Sequence, residues 1–187
     1  MKRLFIATPI ITLSEEVQEL VAQLKFQLRH DDIVWVKDNV KHLTLRFIGA
    51  TPSQQIPLIK KSLEESCKNF SQFSLTLNKI GVFGSRYQPK VIWLGFKEFN
   101  FFRALFEDLE LRLRDCGIEP NNGNFVPHIT LGRVKSTHSK EKFWKCIEEF
   151  SNQKFSQDLK ISQINLYQSF LNKDGPEYKV LYTRKVY

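Results

Sequence analysis

The hydrophobic pattern of this chain passes twice through the same order of strands and helices. The short, mostly apolar stretch at 4–8 is predicted to be a strand, and apolar residues at helical spacing predict a helix at 13–28. An alternating strand at 41–48, a helix at 53–67 and a strand at 73–82 follow. The first part of the chain therefore has the order strand, helix, strand, helix, strand.

The same order begins again after a turn at 84–89. Its predicted elements are a strand at 91–96, a helix at 102–113, a strand at 127–134, a helix after Ser139, and strands at 159–171 and 178–186 around a turn at 172–176. Two copies of one unit favour a single bilobal domain over 1–187. Its approximate halves, 1–85 and 90–187, are expected to pair about a pseudo-twofold axis and not to be independent.

Capping residues predict where the helices begin and end. Thr12 and Glu15 match the capping box that opens a helix. Ser53 and Ser139 are candidate N-caps of the second and fourth helices, and Gly117 is placed to end the third.

One short motif occupies the same place in both copies. The sequences HLTL and HITL begin at His42 and His128, which are two of only four histidines. Because strand side chains alternate between faces, each histidine shares a face with the threonine two residues later, Thr44 or Thr130, and the residues between face the core. A lone His-x-Thr is more often a half-buried strand histidine, but a symmetric pair favours a shared cleft.

Two arginines near the motifs are assigned by the same alternation. Arg46 falls on the face of His42 and is a candidate phosphate ligand, although an exposed strand arginine is an equally good interpretation. Arg133 has the wrong parity for the face of His128. Gly132 just before it can permit a bulge or a strand end that turns Arg133 back toward the cleft.

Two facing imidazoles can catalyse displacement at phosphorus without a metal ion. Imidazole titrates near pH ~6.5, so one ring can be neutral and remove a proton while the other is charged and donates one. Each threonine hydroxyl can donate a hydrogen bond to a non-bridging phosphate oxygen. The paired motif therefore predicts a phosphoryl-transfer site.

Composition indicates the kind of binding partner and the cellular compartment. The net charge of +8 and the pI near 9.4 favour a polyanionic partner such as RNA. Cys67, Cys116 and Cys146 are odd in number and widely spaced, which favours buried thiols in a cytoplasmic protein over a disulfide framework or a metal site. No apolar run reaches membrane-spanning length, so no membrane partner is expected.

Five sequence blocks resemble one known family. In chain order they are RLFIAT, HLTLRFIG, VFGSRYQPKVIWLGF, FVPHITLGR and LYQSFLNKDGPEYKVL. They resemble the two-histidine (2H) phosphoesterase superfamily and, within it, the bacterial and archaeal RNA 2′,3′-cyclic phosphodiesterases, also called 2′-5′ RNA ligases. The resemblance implies a bilobal LigT-like α+β fold, with two antiparallel sheets lining a central basic cleft and helices on the outside.

The resemblance also implies the chemistry. His42 would donate a proton to the leaving ribose oxygen and His128 would accept one from water, which opens a 2′,3′-cyclic phosphate to a 2′-phosphate end. Thr44, Thr130 and Arg133 would hold the phosphate. The resemblance further implies that the same pair of histidines could form a 2′-5′ linkage without ATP. A monomer acting on tRNA-like or other RNA ends, with no cofactor and no metal, is expected.

Other residues are assigned more generally. Arg86 and Tyr178 are candidate RNA contacts, with Tyr87 as a further stacking candidate. Lys41, Lys90 and Lys135 are expected at the surface, where they could follow an RNA backbone, and Phe47, Trp93 and Phe125 are expected in the core. His30 is interpreted as a helix-end cation and His138 as a solvated side chain. The approach NNGNF lacks the basic residue that many family members carry there.

Two alternatives remain open from the sequence. The chain could be another 2H phosphodiesterase, acting on 2′-5′ oligonucleotides, ADP-ribose cyclic phosphates or small cyclic nucleotides. It could also be a non-catalytic RNA-binding module that uses the basic cleft only for binding.

Overall fold

The computed structural model describes residues 1–68, 70–121, 123–172 and 175–186, which form an α+β fold. The helices are α1 Glu15–Gln27, α2 Ile56–Cys67, α3 Asn100–Asp115 and α4 Lys140–Ser151. The strands are β1 Lys2–Pro9, β2 Asp32–Trp35, β3 His42–Thr51, β4 Phe73–Gly84, β5 Pro89–Phe96, β6 His128–Ser136, β7 Gln157–Ile161, β8 Gln163–Asn172 and β9 Gly175–Lys185. The predicted fold class is confirmed.

The strands form a continuous antiparallel sheet in the order β7-β4-β5-β6-β3-β1-β8-β9, and β2 also pairs with β6. We name the half with β3, β1, β8 and β9 lobe A, and the half with β6, β5, β4 and β7 lobe B. The lobes meet where Leu43 of β3 pairs with Ile129 of β6. The two predicted sheets are therefore two halves of one sheet, joined at this pair.

Each lobe takes elements from both copies of the repeated unit. Strand β4, from the first copy, pairs with β5, and β8, from the second copy, pairs with β1. Helices α2 and α3 contact each other and pack on lobe A, whereas α1 contacts α4, which packs on β4 in lobe B. The copies thus exchange elements across the pseudo-twofold axis.

The two faces of the sheet differ in character. One face carries the apolar residues of the motif strands, such as Leu43, Leu45, Ile129 and Leu131, which join the helices in the main core. The opposite face holds a separate aromatic cluster on lobe A, formed by Phe5, Ala7, Tyr167 and Tyr178. This second face, the cleft face, is available for a functional site.

The helix ends differ in part from the predicted caps. The N-cap of α1 is Ser14, whose hydroxyl accepts a hydrogen bond from a first-turn N–H, so the prediction of Thr12 is wrong. Ser53 begins a short 3-10 turn before α2 and does not cap that helix. Ser139 is confirmed as the cap of α4, and Gly117, with φ of 75°, follows the end of α3 as predicted.

Strand boundaries also differ from the predictions. The predicted strand at 159–171 is two strands, β7 and β8, separated at Ser162. Strand β2 was not predicted, because four residues are too few for a clear alternation. In the predicted turn at 172–176, Lys173 and Asp174 lie outside the described residues.

Among the described helices, none combines the length and the apolar composition that crossing a bilayer requires.

Candidate active site

The two motif histidines are anchored in the same way. His42 begins β3 and His128 begins β6. Nδ1 of each ring lies 2.8 Å from the backbone carbonyl oxygen two residues earlier, at Val40 or Val126. Because a carbonyl oxygen only accepts, each Nδ1 carries the hydrogen and donates it. Nε2 of each ring is therefore left as the atom for proton transfer.

The register at the lobe boundary brings the two motifs together. Leu43 lies opposite Ile129 in an antiparallel pair, so His42 is directed toward Thr130 and Thr44 toward His128. Directly opposite side chains have Cβ atoms about 5 Å apart. All four polar side chains are half-buried and lie on the cleft face. Each imidazole thus neighbours the threonine of the other motif.

Aromatic rings surround both imidazoles. The ring centroid of His42 lies 5.0 Å from that of Phe5 and 5.2 Å from that of Tyr178, which it meets edge-on. The His128 centroid lies 4.7 Å from that of Phe83, also edge-on, and 6.4 Å from that of Trp93. These contacts hold the rings in place and limit the access of water to them.

Burial lowers the pKa of both imidazoles. For His42, burial is the main cause, and the positive charges of His128 and Arg133 lower its pKa further. For His128, burial is again the main cause, and Arg133 adds to it. The hydrogen bonds to Val40 and Val126 act in the opposite direction and raise each pKa. A phosphate anion between the rings would favour the charged form of an imidazole.

These lowered pKa values predict how stability depends on pH. The unfolded chain takes up protons near pH ~6.5 while the folded histidines remain neutral, so stability present above that pH is lost as the pH falls toward the folded pKa values. We expect the free energy of unfolding in urea to fall less between pH ~7.5 and ~5 in the variant His42→Gln/His128→Gln than in the wild type. His30→Gln/His138→Gln is the matched control. Equal pH slopes for the wild type and the His42/His128 variant would contradict the prediction.

A bulge directs Arg133 onto the cleft face. The register between β5 and β6 passes from Ile92–Gly132 to Trp93–Thr130, which leaves Leu131 as the extra residue. The prediction that a bulge near Gly132 turns Arg133 toward the cleft is therefore confirmed. A Cβ at Gly132 would lie 2.8 Å from a methyl group of Ile33, so a larger residue does not fit there.

Arg46 does not lie on the cleft face, and its predicted orientation is wrong. The register between β1 and β3 passes from Ile6–Arg46 to Ala7–Thr44, so Leu45 is the extra residue and the parity reverses there. Arg46 is 8% exposed and forms an ion pair with Glu110 of α3. Its guanidinium also donates to the carbonyl oxygens of Phe47 and Glu119. Arg46 thus joins β3 to α3 and does not face a substrate.

Phe47 takes the position on the cleft face that Arg46 was expected to hold. It is 54% exposed, so its predicted place in the core is also wrong. The same bulge accounts for both errors, because it exchanges the faces of the two neighbours. Trp93 is half-buried beside His128, and Phe125 stacks on Phe106 with centroids 4.1 Å apart in the core.

The remaining predicted contacts lie on several different elements. Tyr178 lies on β9 against His42, whereas Arg86 is exposed in the turn between β4 and β5, where its carbonyl oxygen accepts from the Trp144 indole. Lys90, Lys135 and Tyr87 are exposed as predicted. Lys41 is instead buried, with its ammonium against Asp38, which corrects its predicted surface position. Asn122, within NNGNF, lies outside the described residues.

The other thiols and histidines lie elsewhere. All three cysteines are free, and only Cys67 is buried as predicted, while Cys116 and Cys146 are partly exposed. His30 and His138 line a surface cavity of about 320 Å³ between the end of α1 and the start of α4. In the described parts of the chain, no three His, Cys, Asp or Glu side chains are grouped as metal ligands.

Comparisons with known proteins agree with this geometry. The family model described as "LigT like Phosphoesterase" matches residues 11–93 and 100–178. An RNA 2′,3′-cyclic phosphodiesterase of Thermotoga maritima is 34% identical over 96% of this chain and 93% of its own length. One of Methanocaldococcus jannaschii is 28% identical over 96% and 98%.

Solved structures show the same fold. A crystal structure of a Thermus thermophilus protein has a TM-score of 0.78 at 24% identity and covers 98% of this chain and 97% of its own. Escherichia coli LigT complexed with 3′-AMP has a TM-score of 0.71 at 20% identity, with 99% and 98% covered. The family match extends over both motifs and most of both lobes. The chain belongs to the LigT-like phosphoesterase family.

Proposed function

We propose that this chain is a cytoplasmic RNA 2′,3′-cyclic phosphodiesterase that opens cyclic phosphate ends to 2′-phosphate ends. The observation that carries the proposal is the pair of identically anchored imidazoles, on two motifs that the Leu43–Ile129 pair joins at the lobe boundary. Relatives that match nearly the whole chain are named for this activity. The net charge of +8 suits an RNA substrate.

Proton transfer through the two Nε2 atoms accounts for the reaction. His128 takes a proton from water, whose oxygen attacks phosphorus. The bond between phosphorus and the ribose 3′ oxygen breaks, and His42 gives its proton to that oxygen. The Nδ1 hydrogen bonds to Val126 and Val40 keep both rings in orientation during the transfer. The assignment of acid and base follows the family resemblance.

Hydrogen bonds and charge would stabilise the phosphate in the transition state. The hydroxyls of Thr44 and Thr130 lie on the same face as the imidazoles and can donate to non-bridging oxygens. Arg133 supplies positive charge from the bulge, and Arg86 and Tyr178 are proposed contacts to the RNA. With a 5′-hydroxyl in place of water as the nucleophile, the same residues would open the cyclic phosphate, release the 3′ oxygen and form a 2′-5′ linkage without ATP.

Hydrolysis in the presence of a chelator tests the proposal. An oligonucleotide that ends in a 2′,3′-cyclic phosphate is expected to be converted to the 2′-phosphate at the same rate with and without EDTA, because the proton transfers need only imidazoles. Product analysis distinguishes 2′- from 3′-phosphate ends. A 2′-5′ oligoadenylate and a small cyclic nucleotide serve as comparison substrates.

Three outcomes would contradict the proposal. Activity that is lost on chelation and restored by a metal ion would contradict the metal-free mechanism. Faster turnover of a comparison substrate would indicate another phosphodiesterase. Salt-dependent RNA binding without turnover would indicate a binding module.

A further inference from the structure

One arginine on the cleft face takes no part in the site described above. Strand β1 pairs with β8 in an unbroken register from Arg3 to Ala7, so its side chains alternate regularly between the two faces. Leu4 and Ile6 lie in the main core. Phe5 and Ala7 belong to the aromatic cluster on the cleft face. Arg3 therefore stands on the cleft face of lobe A, about 7 Å along the strand from Phe5.

Arg3 lies beside the aromatic ring that contacts the first motif histidine. It pairs with Ser169 of β8, and Ser169 pairs with Tyr178 of β9, so the three side chains form one row on the same face. The Tyr178 ring meets the His42 ring edge-on, with centroids 5.2 Å apart. Arg3 itself is exposed and has no carboxylate partner among the described residues. An unpaired cation is thus present next to the candidate active site.

Electrostatics indicates how far Arg3 lies from the imidazole. Burial raises the pKa of the Tyr178 hydroxyl, and the positive charges of Arg133 and Arg3 act in the opposite direction. Burial likewise is the main cause of the lowered pKa of His42, and there the contributing charges are those of His128 and Arg133. Arg133 thus acts on both rings, whereas Arg3 acts on Tyr178. Arg3 is therefore farther from the imidazole than Arg133 is.

The assignment of acid and base sets the direction of the substrate across the cleft. In an in-line displacement the attacking and leaving oxygens lie on opposite sides of phosphorus. With water activated by His128, the leaving 3′ oxygen and the ribose that carries it lie toward His42 and lobe A. The 5′ carbon of that ribose carries the next phosphodiester of the RNA. This phosphodiester therefore lies on lobe A, one nucleotide outward from the reacting phosphate.

From these positions, we propose that Arg3 binds the phosphodiester immediately upstream of the terminal cyclic phosphate. The inference rests on the proposed function and specifies its substrate: an RNA end with at least one internal phosphodiester is preferred over a nucleoside 2′,3′-cyclic phosphate. Arg133 and Arg3 then bind consecutive phosphates of one strand. A guanidinium suits this contact, because it can donate two parallel hydrogen bonds to a single phosphate.

Lobe B also carries a cation on the cleft face. Lys79 of β4 is exposed and pairs with Gly95 of β5. Gly95 is two residues from Trp93 and shares its face, on which the Trp93 ring lies beside His128. Lys79 is therefore on the side from which water attacks. We do not expect it to contact the upstream phosphodiester.

Three substrates test the contact. The first is a dinucleotide that ends in a 2′,3′-cyclic phosphate, the second is the same dinucleotide with a neutral methylphosphonate linkage, and the third is a nucleoside 2′,3′-cyclic phosphate. Arg3→Met is expected to lower kcat/KM for the first roughly 5- to 20-fold, chiefly through KM, because the contact is the same before and during the reaction. The other two substrates have no charged phosphodiester and should react as with the wild type. Arg3→Lys should retain part of the preference, since it keeps the charge.

Matched controls separate the possible outcomes. Lys2→Met removes a charge from the opposite face of β1, and Lys79→Met removes one from lobe B; neither should change any of the three reactions. An equal loss on all three substrates in Arg3→Met would show a structural role and overturn the proposal, and so would unchanged kinetics. A loss confined to the charged dinucleotide in Lys79→Met, and not in Arg3→Met, would place the strand across lobe B and also overturn it. Failure of the proposed function would look different, because the wild type would then hydrolyse none of the three.

Discussion

Alanine at His42 or at His128 is expected to lower kcat about 10²- to 10⁴-fold on a 2′,3′-cyclic phosphate oligonucleotide. Each substitution removes one of the two proton transfers, at an imidazole whose orientation is fixed by a carbonyl hydrogen bond of 2.8 Å. Single-turnover rates measure the chemical step directly. The double variant is expected to be little slower than either single variant, because the two groups act in one step.

The chain provides its own control for this experiment. His30→Ala and His138→Ala change the other two histidines, which line a cavity outside the site, and should retain full activity.

Both active-site pKa values are lowered by burial, so kcat/KM is expected to peak below pH ~6.5 in a bell-shaped profile with two apparent pKa values. Full activity in either alanine variant, or a flat profile between pH ~5 and ~9, would refute the two-histidine mechanism.

Replacement of Arg46 by methionine is expected to destabilise the fold by about 3 kcal/mol or more. Methionine fills much of the same volume but leaves the Glu110 carboxylate without its positive partner in a nearly enclosed place. The carbonyl oxygens of Phe47 and Glu119 also lose their donor. Urea unfolding measures the loss, and kcat of the folded protein is expected to stay within a few-fold, since Arg46 does not face the cleft.

Two comparison variants make this result specific. Arg46→Met/Glu110→Gln removes the uncompensated charge and should recover part of the lost stability, because the amide can still accept the hydrogen bond from the Asn121 N–H. Lys68→Met breaks an exposed ion pair with Glu65 and should change stability little. Unchanged stability in Arg46→Met, together with a weaker salt dependence of RNA binding, would instead restore Arg46 as a phosphate ligand.

Local alternation was enough to predict the centre of the site. His42 and Thr44, and likewise His128 and Thr130, share a face because side-chain direction in a strand repeats every two residues. That rule needs no knowledge of which strands are neighbours. It fails where a bulge intervenes, because a bulge depends on the pairing with another strand.

The two bulges show where prediction from strand alternation fails. Gly132 indicates the second bulge within the sequence. The sequence therefore predicts that Arg133 faces away from His128 in a regular strand and toward the cleft if the strand bulges. No glycine marks the first bulge at Leu45, so Arg46 and Phe47 were assigned to each other's faces. The signal that could have corrected them is the equivalence of the copies, since Phe47 stands where the second copy has Arg133.

The exchange of strands between copies could not be predicted from the pattern. Alternation predicts that β4 and β8 are strands, but not that β4 joins β5 and β8 joins β1. Those partners are set by helix packing and by the shape of the whole sheet. The same holds for β2, whose four residues gain their stability from pairing with β6 and not from their own pattern.

The single ladder pair at the lobe boundary has a consequence for catalytic precision. Leu43 and Ile129 are both fully buried, and theirs is the pair through which β3 and β6 are in register. A slip of two residues at this boundary would retain the strand faces and the core, yet would move each imidazole past its partner threonine by about 7 Å. The accuracy of the acid–base geometry is thus a packing property of two aliphatic side chains that never touch the substrate.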